Sequence, residues 1–406
     1  MNAVHASEPV PSVESRLRAV PPHALVATAQ RLLAEETGAL ETTLFLADYG
    51  LRVLQPVTHL PHTGEPVPAH DGPAGSAFIT QSPVVEVIPD PTVHVVHLPI
   101  TVRGDRLGVL SVRLPAAAAD PVTVLRLGDF ATALGHEVVT AGRDTDLYLL
   151  ARRTRRLTLA AEMQWQLLPG RGCARDEYVI GAHLEPAYAI GGDNFDWSTG
   201  ADHLTLTVTD GMGQGVDASL LTSLAVGALR NARRAGISLA DQACLADQAI
   251  FAHYGGKVYA STLLLHFDLT TGVVHAVDAG SPILYLLRDG TIRQVDLEAQ
   301  LPLGMFEETP YEEQTFRVEP GDRLVAVSTG VHNTRSALGD LFGEHALRQV
   351  LSATRHTSPH ETARAVVSAL WEHFGGRDLM ADAAVVCLDW SGRGARSAVQ
   401  DPRTAG

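Results

Sequence analysis

Cysteine is scarce in this chain: Cys173, Cys244 and Cys387 are three among 406 residues, far apart and with no CxxC pair. That spacing does not support a zinc ribbon, and an odd number of scattered thiols fits a reducing, cytoplasmic compartment. Long apolar runs are also missing. No stretch of about 18 residues is apolar throughout, so no transmembrane helix is expected. Positive charge is short: 31 Lys and Arg stand against 46 Asp and Glu, a formal net charge of −15. A general nucleic-acid surface is thereby disfavoured, since phosphates need cationic partners. Acidic or phosphorylated protein partners stay open, because recognition depends on local fields. Residues 1–22 lack a basic start followed by an apolar core, so no secretory signal is expected. Residues 1–21 read as a loose leader and residues 392–406 as a disordered tail.

The chain contains enough to build two or three domains. A hydrophobic fraction of 45% and a charged fraction of 19% suit a soluble globular protein. Residues 22–142 read as one α/β unit. Leu25, Ala29, Leu32 and Leu33 have helical spacing. Residues 42–47 and 51–57 read as strands around the turn Asp48-Tyr49-Gly50. A short helix starts at Gly75-Ser76-Ala77-Phe78, and residues 84–87 form a strand. Residues 93–102 and 107–114 flank the hairpin signal Arg103-Gly104-Asp105-Arg106, and residues 123–141 read as a closing helix. This order, with Gly75-Ser76-Ala77-Phe78, Leu98-Pro99-Ile100 and Gly108-Val109-Leu110, resembles a GAF domain. The resemblance implies either a sensor of a small ligand or a dimerisation spacer. With no cysteine in this half, a thioether-linked bilin is not expected.

Residues 143–169 read as a linker helix. Leu147, Leu150, Thr154, Leu157, Ala161, Gln164 and Leu168 recur at alternating spacings of three and four, the stripe of a short coiled coil and of a homodimer. Arg152, Arg153, Arg155 and Arg156 crowd its middle and read as a solvated or dimer-flanking face.

Residues 170–391 carry the chemistry. Strands are read at 179–186 and 203–209, helices at 216–235 and 239–254, and a meander at 262–268, 273–278 and 283–287. A strand at 323–328, a helix at 359–374 and a strand at 383–389 follow. Three motifs combine glycine with aspartate: Gly191-Gly192-Asp193-Asn194-Phe195-Asp196, Asp210-Gly211-Met212-Gly213-Gln214-Gly215 and Pro320-Gly321-Asp322-Arg323-Leu324. An aspartate at a strand end beside glycine suits a hard divalent cation. Its short side chain reaches a metal held close to backbone, and glycine leaves room for that approach. The motifs, with Ala161-Glu162-Met163-Gln164-Trp165 at the domain entry, resemble the PPM-type protein phosphatases of the SpoIIE/RsbU-like branch.

That resemblance implies an α+β protein whose C-terminal domain is an α/β/β/α sandwich. It also implies two divalent metals, Mn²⁺ or Mg²⁺, about 4 Å apart, activating water against a phosphoryl group. Asp193 would ligate one metal, Asp210 would bridge both, and the Gly211 carbonyl would complete the first site. Asp196 would be supporting, and Asp217 and Asp322 cap and turn residues. Two family aspartate positions are Thr329 and Ala381 here, and two family histidine positions are Gln214 and Ser281. Asp382 follows Ala381 and, as a strand neighbour, would face away; Asp340 and Asp378 are other conceivable donors. One metal site is therefore expected and the second is weakened. The implied substrate is a phosphoserine or phosphothreonine in a regulatory protein, such as an anti-sigma-factor antagonist. The alternative is a degenerate phosphatase fold that binds a partner without turnover; a third reading centres on the sensor, with the C-terminal domain as an output site.

Overall fold

A computed structural model of the chain describes residues 12–57, 64–153, 158–186, 191–280, 282–376 and 379–393. It divides into two compact units, residues 1–156 and 157–406.

The first unit runs α1 (Val13–Arg18), α2 (Leu25–Thr37), β1 (Glu41–Ala47), β2 (Val53–Val57), β3 (Val67–Pro68), α3 (Gly72–Thr80), β4 (Val84–Val87), β5 (Val93–Val102), β6 (Asp105–Pro115), α4 (Pro121–Ala141) and α5 (Leu147–Ala151). Its strands form one antiparallel sheet in the order β3-β2-β1-β6-β5-β4. Alternate residues of each strand face opposite sides. Leu44, Leu46, Val96, Leu98, Leu110 and Val112 meet α1, α2 and α4 on one side. Ala47, Leu54 and Val109 meet α3 on the other. The element order matches the reading of residues 22–142.

Two expectations fail here. The leader is not loose over its second half: Ser12 caps α1, and Leu17, 1% exposed, enters the unit's core beside α4. Nor is there one linker helix. α5 ends at Ala151 with Arg152 as its C-cap, and the next described helix, α6 (Leu159–Leu167), starts afresh from Thr158, which has extended backbone and a hydroxyl accepting from Ala161 N at 3.2 Å. The residues of the stripe serve separate units. On α5, in the first unit, Leu147 is half-buried and Leu150 exposed, whereas Ala161 and Gln164 are buried in the second unit. Arg152 is not a solvated residue: it donates to Ala47 O at 2.9 Å and lies over the Tyr49 ring. Thr154 to Leu157, with Arg155 and Arg156, lie outside the described residues.

The second unit continues from α6 with β7 (Gly172–Ala174), β8 (Tyr178–Glu185), β9 (Gly192–Thr199), β10 (His203–Gly211), α7 (Gly215–Arg234), α8 (Leu239–Tyr254), β11 (Ala260–Asp268), β12 (Val273–Ala279), β13 (Ile283–Arg288), β14 (Thr291–Gln294), β15 (Gln314–Arg317), β16 (Arg323–Val327), α9 (Thr329–His332), α10 (Ala346–Ala353), α11 (Pro359–His373) and β17 (Ala383–Trp390). One sheet has the order β15-β12-β11-β10-β9 and the other β14-β13-β16-β17-β8-β7. Their inner faces share one core: Phe195, Leu206, Val208 and Leu265 from the first sheet pack with Ile180, Leu286, Ala326 and Val386 from the second. The outer face of the first sheet, through Leu264 and Val277, is covered by α7 and α8. Val325, Val385 and Cys387 of the second sheet lie under α10 and α11. The layers run helix, sheet, sheet, helix.

The expected meander breaks after its second strand. β12 pairs with β11 and β15, whereas β13 crosses to the other sheet and pairs with β14 and β16. Gly280, at φ +85°, stands at the crossing, where a Cβ would press on Pro302.

The placement of α1 gives a direct test. Leu17→Ala should cost about 2–5 kcal/mol by leaving a cavity in the first unit's core. A denaturant titration of the isolated variant and wild type reads this; an unchanged midpoint would restore the loose-leader view.

Candidate active site

β9 and β10 are antiparallel neighbours in a register that sets Asp193 opposite Asp210 and Gly192 opposite Gly211. Directly opposed residues point to the same face, so the two carboxylates project side by side. The glycine pair makes the approach possible: a Cβ on Gly192 would collide with the Gly211 carbonyl oxygen. A second contact comes from the other sheet. β16 runs into Ser328 and then α9, and Thr329 N donates to Asp210 Oδ2 at 3.3 Å. Gly330 must be glycine for this close approach, because a Cβ there would strike the Asp382 carbonyl oxygen. The result is a cleft of about 450 Å³ that Asp193, Asp210, Gly211, Thr329 and Ala381 all line. The five positions to which the resemblance gives metal-ligand places thus come together.

The electrostatics of the cleft are unfavourable as they stand. Asp193 is 3% exposed, and its Oδ2 has no hydrogen-bond partner among the described residues. Its pKa is raised well above the ordinary carboxylate value. Burial is the first cause, followed by the negative charges of Asp210 and Asp382; the Ser328 hydroxyl and Ala384 N–H pull the other way. A buried carboxylate oxygen with no donor, beside a second carboxylate, is a strong demand for a cation.

Asp382 corrects the strand-alternation argument. Residues 379–382 precede β17 and are not part of a strand, so Asp382 need not face away from Ala381. Both line the cleft. Asp382 is nevertheless heavily engaged: Oδ1 accepts from Gly191 N at 2.9 Å and Oδ2 accepts a short hydrogen bond from Gln164 Nε2. Gln164 is fully buried, and its amide also donates to Asp193 O at 3.1 Å and Gly191 O at 3.2 Å. This side chain ties α6 to the backbone that carries Asp193. In the sequence it was a stripe position; the available signal was a polar residue among apolar ones.

The other candidates fall elsewhere. Asp196 is buried against Arg230 and Arg233, at 2.8 and 3.0 Å, a supporting ion pair. Asp322 accepts from Glu319 N in a turn and pairs with Arg288, and Asp217 lies in the first turn of α7. Gln214 lines the cleft at the N-cap of α7 without capping it through its side chain. Asp340 does not line the cleft, and its carbonyl faces His373. Asp378 and Ser281 lie outside the described residues. Arg335 and Asn333 line the cleft and had no sequence signal, since only the fold brings them there.

The donor set fits one hard cation. Asp193, Asp210 and the Gly211 carbonyl are oxygen ligands of the kind Mg²⁺ and Mn²⁺ take, and Mg²⁺ is often held by one or two carboxylates with waters completing the shell. It does not fit two. Among the described residues no group of three His, Cys, Asp or Glu is arranged to hold a metal ion. Thr329 offers a neutral hydroxyl and Ala381 nothing.

Residues 200–391 match the family model described as Stage II sporulation protein E (SpoIIE). That segment holds Asp210, Thr329 and Ala381 and begins just after Asp193. Protein IcfG of Synechocystis sp. is 21% identical over 220 residues, covering 47% of this chain and 35% of IcfG. Phosphoserine phosphatase RsbU of Bacillus subtilis is 23% identical over 188 residues, covering 46% of this chain and 56% of RsbU. The chain thus spans about a third of IcfG and just over half of RsbU. Among solved structures, the SiaA-PP2C domain of Pseudomonas aeruginosa has a TM-score of 0.46 at 23% identity, covering 52% of this chain and 85% of that one. A SpoIIE phosphatase structure from Bacillus subtilis has a TM-score of 0.47 at 19% identity, covering 53% and 65%. Over residues 200–391 the C-terminal unit is a domain of the SpoIIE family of PP2C-type (PPM-type) serine/threonine phosphatases, homologous to RsbU and SpoIIE.

Proposed function

We propose that the C-terminal unit hydrolyses phosphoserine or phosphothreonine on a regulatory protein, with one Mn²⁺ or Mg²⁺ held by Asp193, Asp210 and the Gly211 carbonyl. The observation that carries this is the buried Asp193, which lines the cleft beside Asp210 and whose Oδ2 has no hydrogen-bond partner among the described residues. A divalent ion bound there supplies positive charge against phosphoryl oxygens and acidifies a water. The chain's own residues do the positioning. The β9–β10 ladder fixes the separation of the two carboxylates, and Thr329 N–H restrains Asp210. Gln164 and Asp382 hold the Gly191–Asp193 backbone, so that the Asp193 carboxylate stays directed into the cleft.

The family favours phosphoserine or phosphothreonine as substrate, and the resemblance to the SpoIIE/RsbU branch favours an anti-sigma-factor antagonist. The first unit's single antiparallel sheet with α3 on one face and α1, α2 and α4 on the other supports a GAF-like module that governs the second unit as a ligand sensor or through homodimerisation.

Thr329 and Ala381 favour a second reading. With both in the cleft and neither carrying a carboxylate, the unit would bind its phosphorylated partner without turning it over. Mn²⁺-dependent hydrolysis of a phosphoserine peptide by wild type, Asp210→Ala and the double variant Thr329→Asp/Ala381→Asp separates the two. The phosphatase reading expects wild-type turnover that falls to background in Asp210→Ala. Turnover confined to the double variant would establish the binding reading.

A second prediction concerns stability. Without metal, the Asp193 carboxylate is a burden on the fold, so Asp193→Asn should raise the metal-free Tm by about 2–4 °C for each kcal/mol of relieved repulsion and burial. Mn²⁺ should raise the Tm of wild type and not of the variant. Thermal melts with and without Mn²⁺ decide it, and an equal Mn²⁺ effect in both proteins would remove Asp193 from the site.

A further inference from the structure

Three aspartates line the cleft, Asp193, Asp210 and Asp382, and one cation does among the described residues, Arg335. Arg335 has no carboxylate at ion-pair distance among the described residues, so the acidic groups of the cleft leave its charge uncompensated. Arg335 is exposed, and its Nη1 donates to Gly339 O at 2.8 Å. One of the five N–H donors of its fork is thereby used, which aims the group and leaves the others for a ligand.

The segment that carries it is well held. Arg335 pairs with Leu341 in an antiparallel bridge, Ser336 N donates to Asp340 O at 2.9 Å, and Gly339 turns the chain at φ +93°. Thr334 Oγ1 donates to Gly330 O at 2.6 Å and roots the hairpin on α9, beside the Thr329 N–H that meets Asp210.

We propose that Arg335 is the phosphoryl-binding residue of this cleft and selects a phosphomonoester dianion. This rests on the phosphatase reading above and names the group that recognises its substrate. A phosphate dianion entering among three aspartates meets strong repulsion. One divalent ion offsets part of it. The positions that would hold a second ion are Thr329 and Ala381, so the remaining positive charge must come from the chain. Arginine suits the task, because its planar fork matches two phosphoryl oxygens and stays charged at any working pH.

The test uses the full chain, with Mn²⁺ and inorganic phosphate as probes in calorimetric titrations of wild type, Arg335→Gln and Arg335→Lys. Arg335 is exposed, so the variants should fold, and unchanged Mn²⁺ affinity in all three would show an intact metal site. Phosphate affinity of the Mn²⁺-loaded protein should fall by about 10- to 100-fold in Arg335→Gln, as for a lost charge-assisted hydrogen bond. Arg335→Lys should recover part of it. KM for a phosphoserine peptide should rise in parallel, with kcat altered less. Unchanged phosphate affinity in Arg335→Gln overturns the proposal. If wild type binds no Mn²⁺, the metal reading fails by itself. Phosphate binding by the metal-free chain that is lost in Arg335→Gln would still support Arg335, and no phosphate binding by that metal-free wild type would overturn it.

Discussion

Two carboxylates held side by side on neighbouring strands repel each other, and burial removes the water that would screen them. The Asp193–Asp210 pair is in that position, and much of the surrounding structure maintains it. The glycine pair Gly192 and Gly211 lets the two backbones approach. Ser328 and Ala384 partly stabilise the Asp193 carboxylate. Gln164 and Asp382 hold the backbone on either side of Gly192. A fold tolerates such an arrangement when something else resolves the repulsion, and a divalent cation is the simplest such partner.

The two sheets contribute in different ways. β9 and β10 supply the carboxylates, whereas the ends of β16 and β17 supply the facing wall with Thr329, Gly330, Ala381 and Asp382. The shared apolar core beneath, from Phe195 and Val208 to Ala326 and Val386, sets the spacing of those strand ends. Substituting Thr329 and Ala381 for carboxylates leaves that scaffold intact while lowering the negative charge of the wall. The cleft is therefore suited to fewer cations than a wall with two more aspartates would be, and under the proposed function its positive charge must come in part from a side chain such as Arg335.

Much of this was legible in the sequence. The Gly-Gly-Asp and Asp-Gly-Met-Gly motifs were legible through their resemblance to the SpoIIE/RsbU-like phosphatases, although the strand β9 that starts at Gly192 carried no reading of its own. Long periodic segments such as α7 and α8 were placed to within a residue or two, since apolar spacing dictates them. What failed depended on tertiary context. The stripe from Leu147 to Leu168 has coiled-coil spacing, yet Thr158 starts a new helix, Leu150 is exposed on α5, and Ala161 and Gln164 are buried in the second unit. Asp382 was set aside on strand alternation that its local backbone does not follow. β13 was joined to its sequence neighbours, although a glycine at positive φ sends it to the other sheet. Arg335 carries no local signal at all, since its position follows from a hairpin that only the assembled fold brings to the cleft.

The central claim is that Asp193 and Asp210 together hold a single divalent ion. Counting Mn²⁺ bound per chain by electron paramagnetic resonance, in wild type and Asp193→Asn, tests it most directly. The account predicts one tightly bound ion in wild type and none in the variant. Two tight ions in wild type, or one that survives in Asp193→Asn, would contradict it.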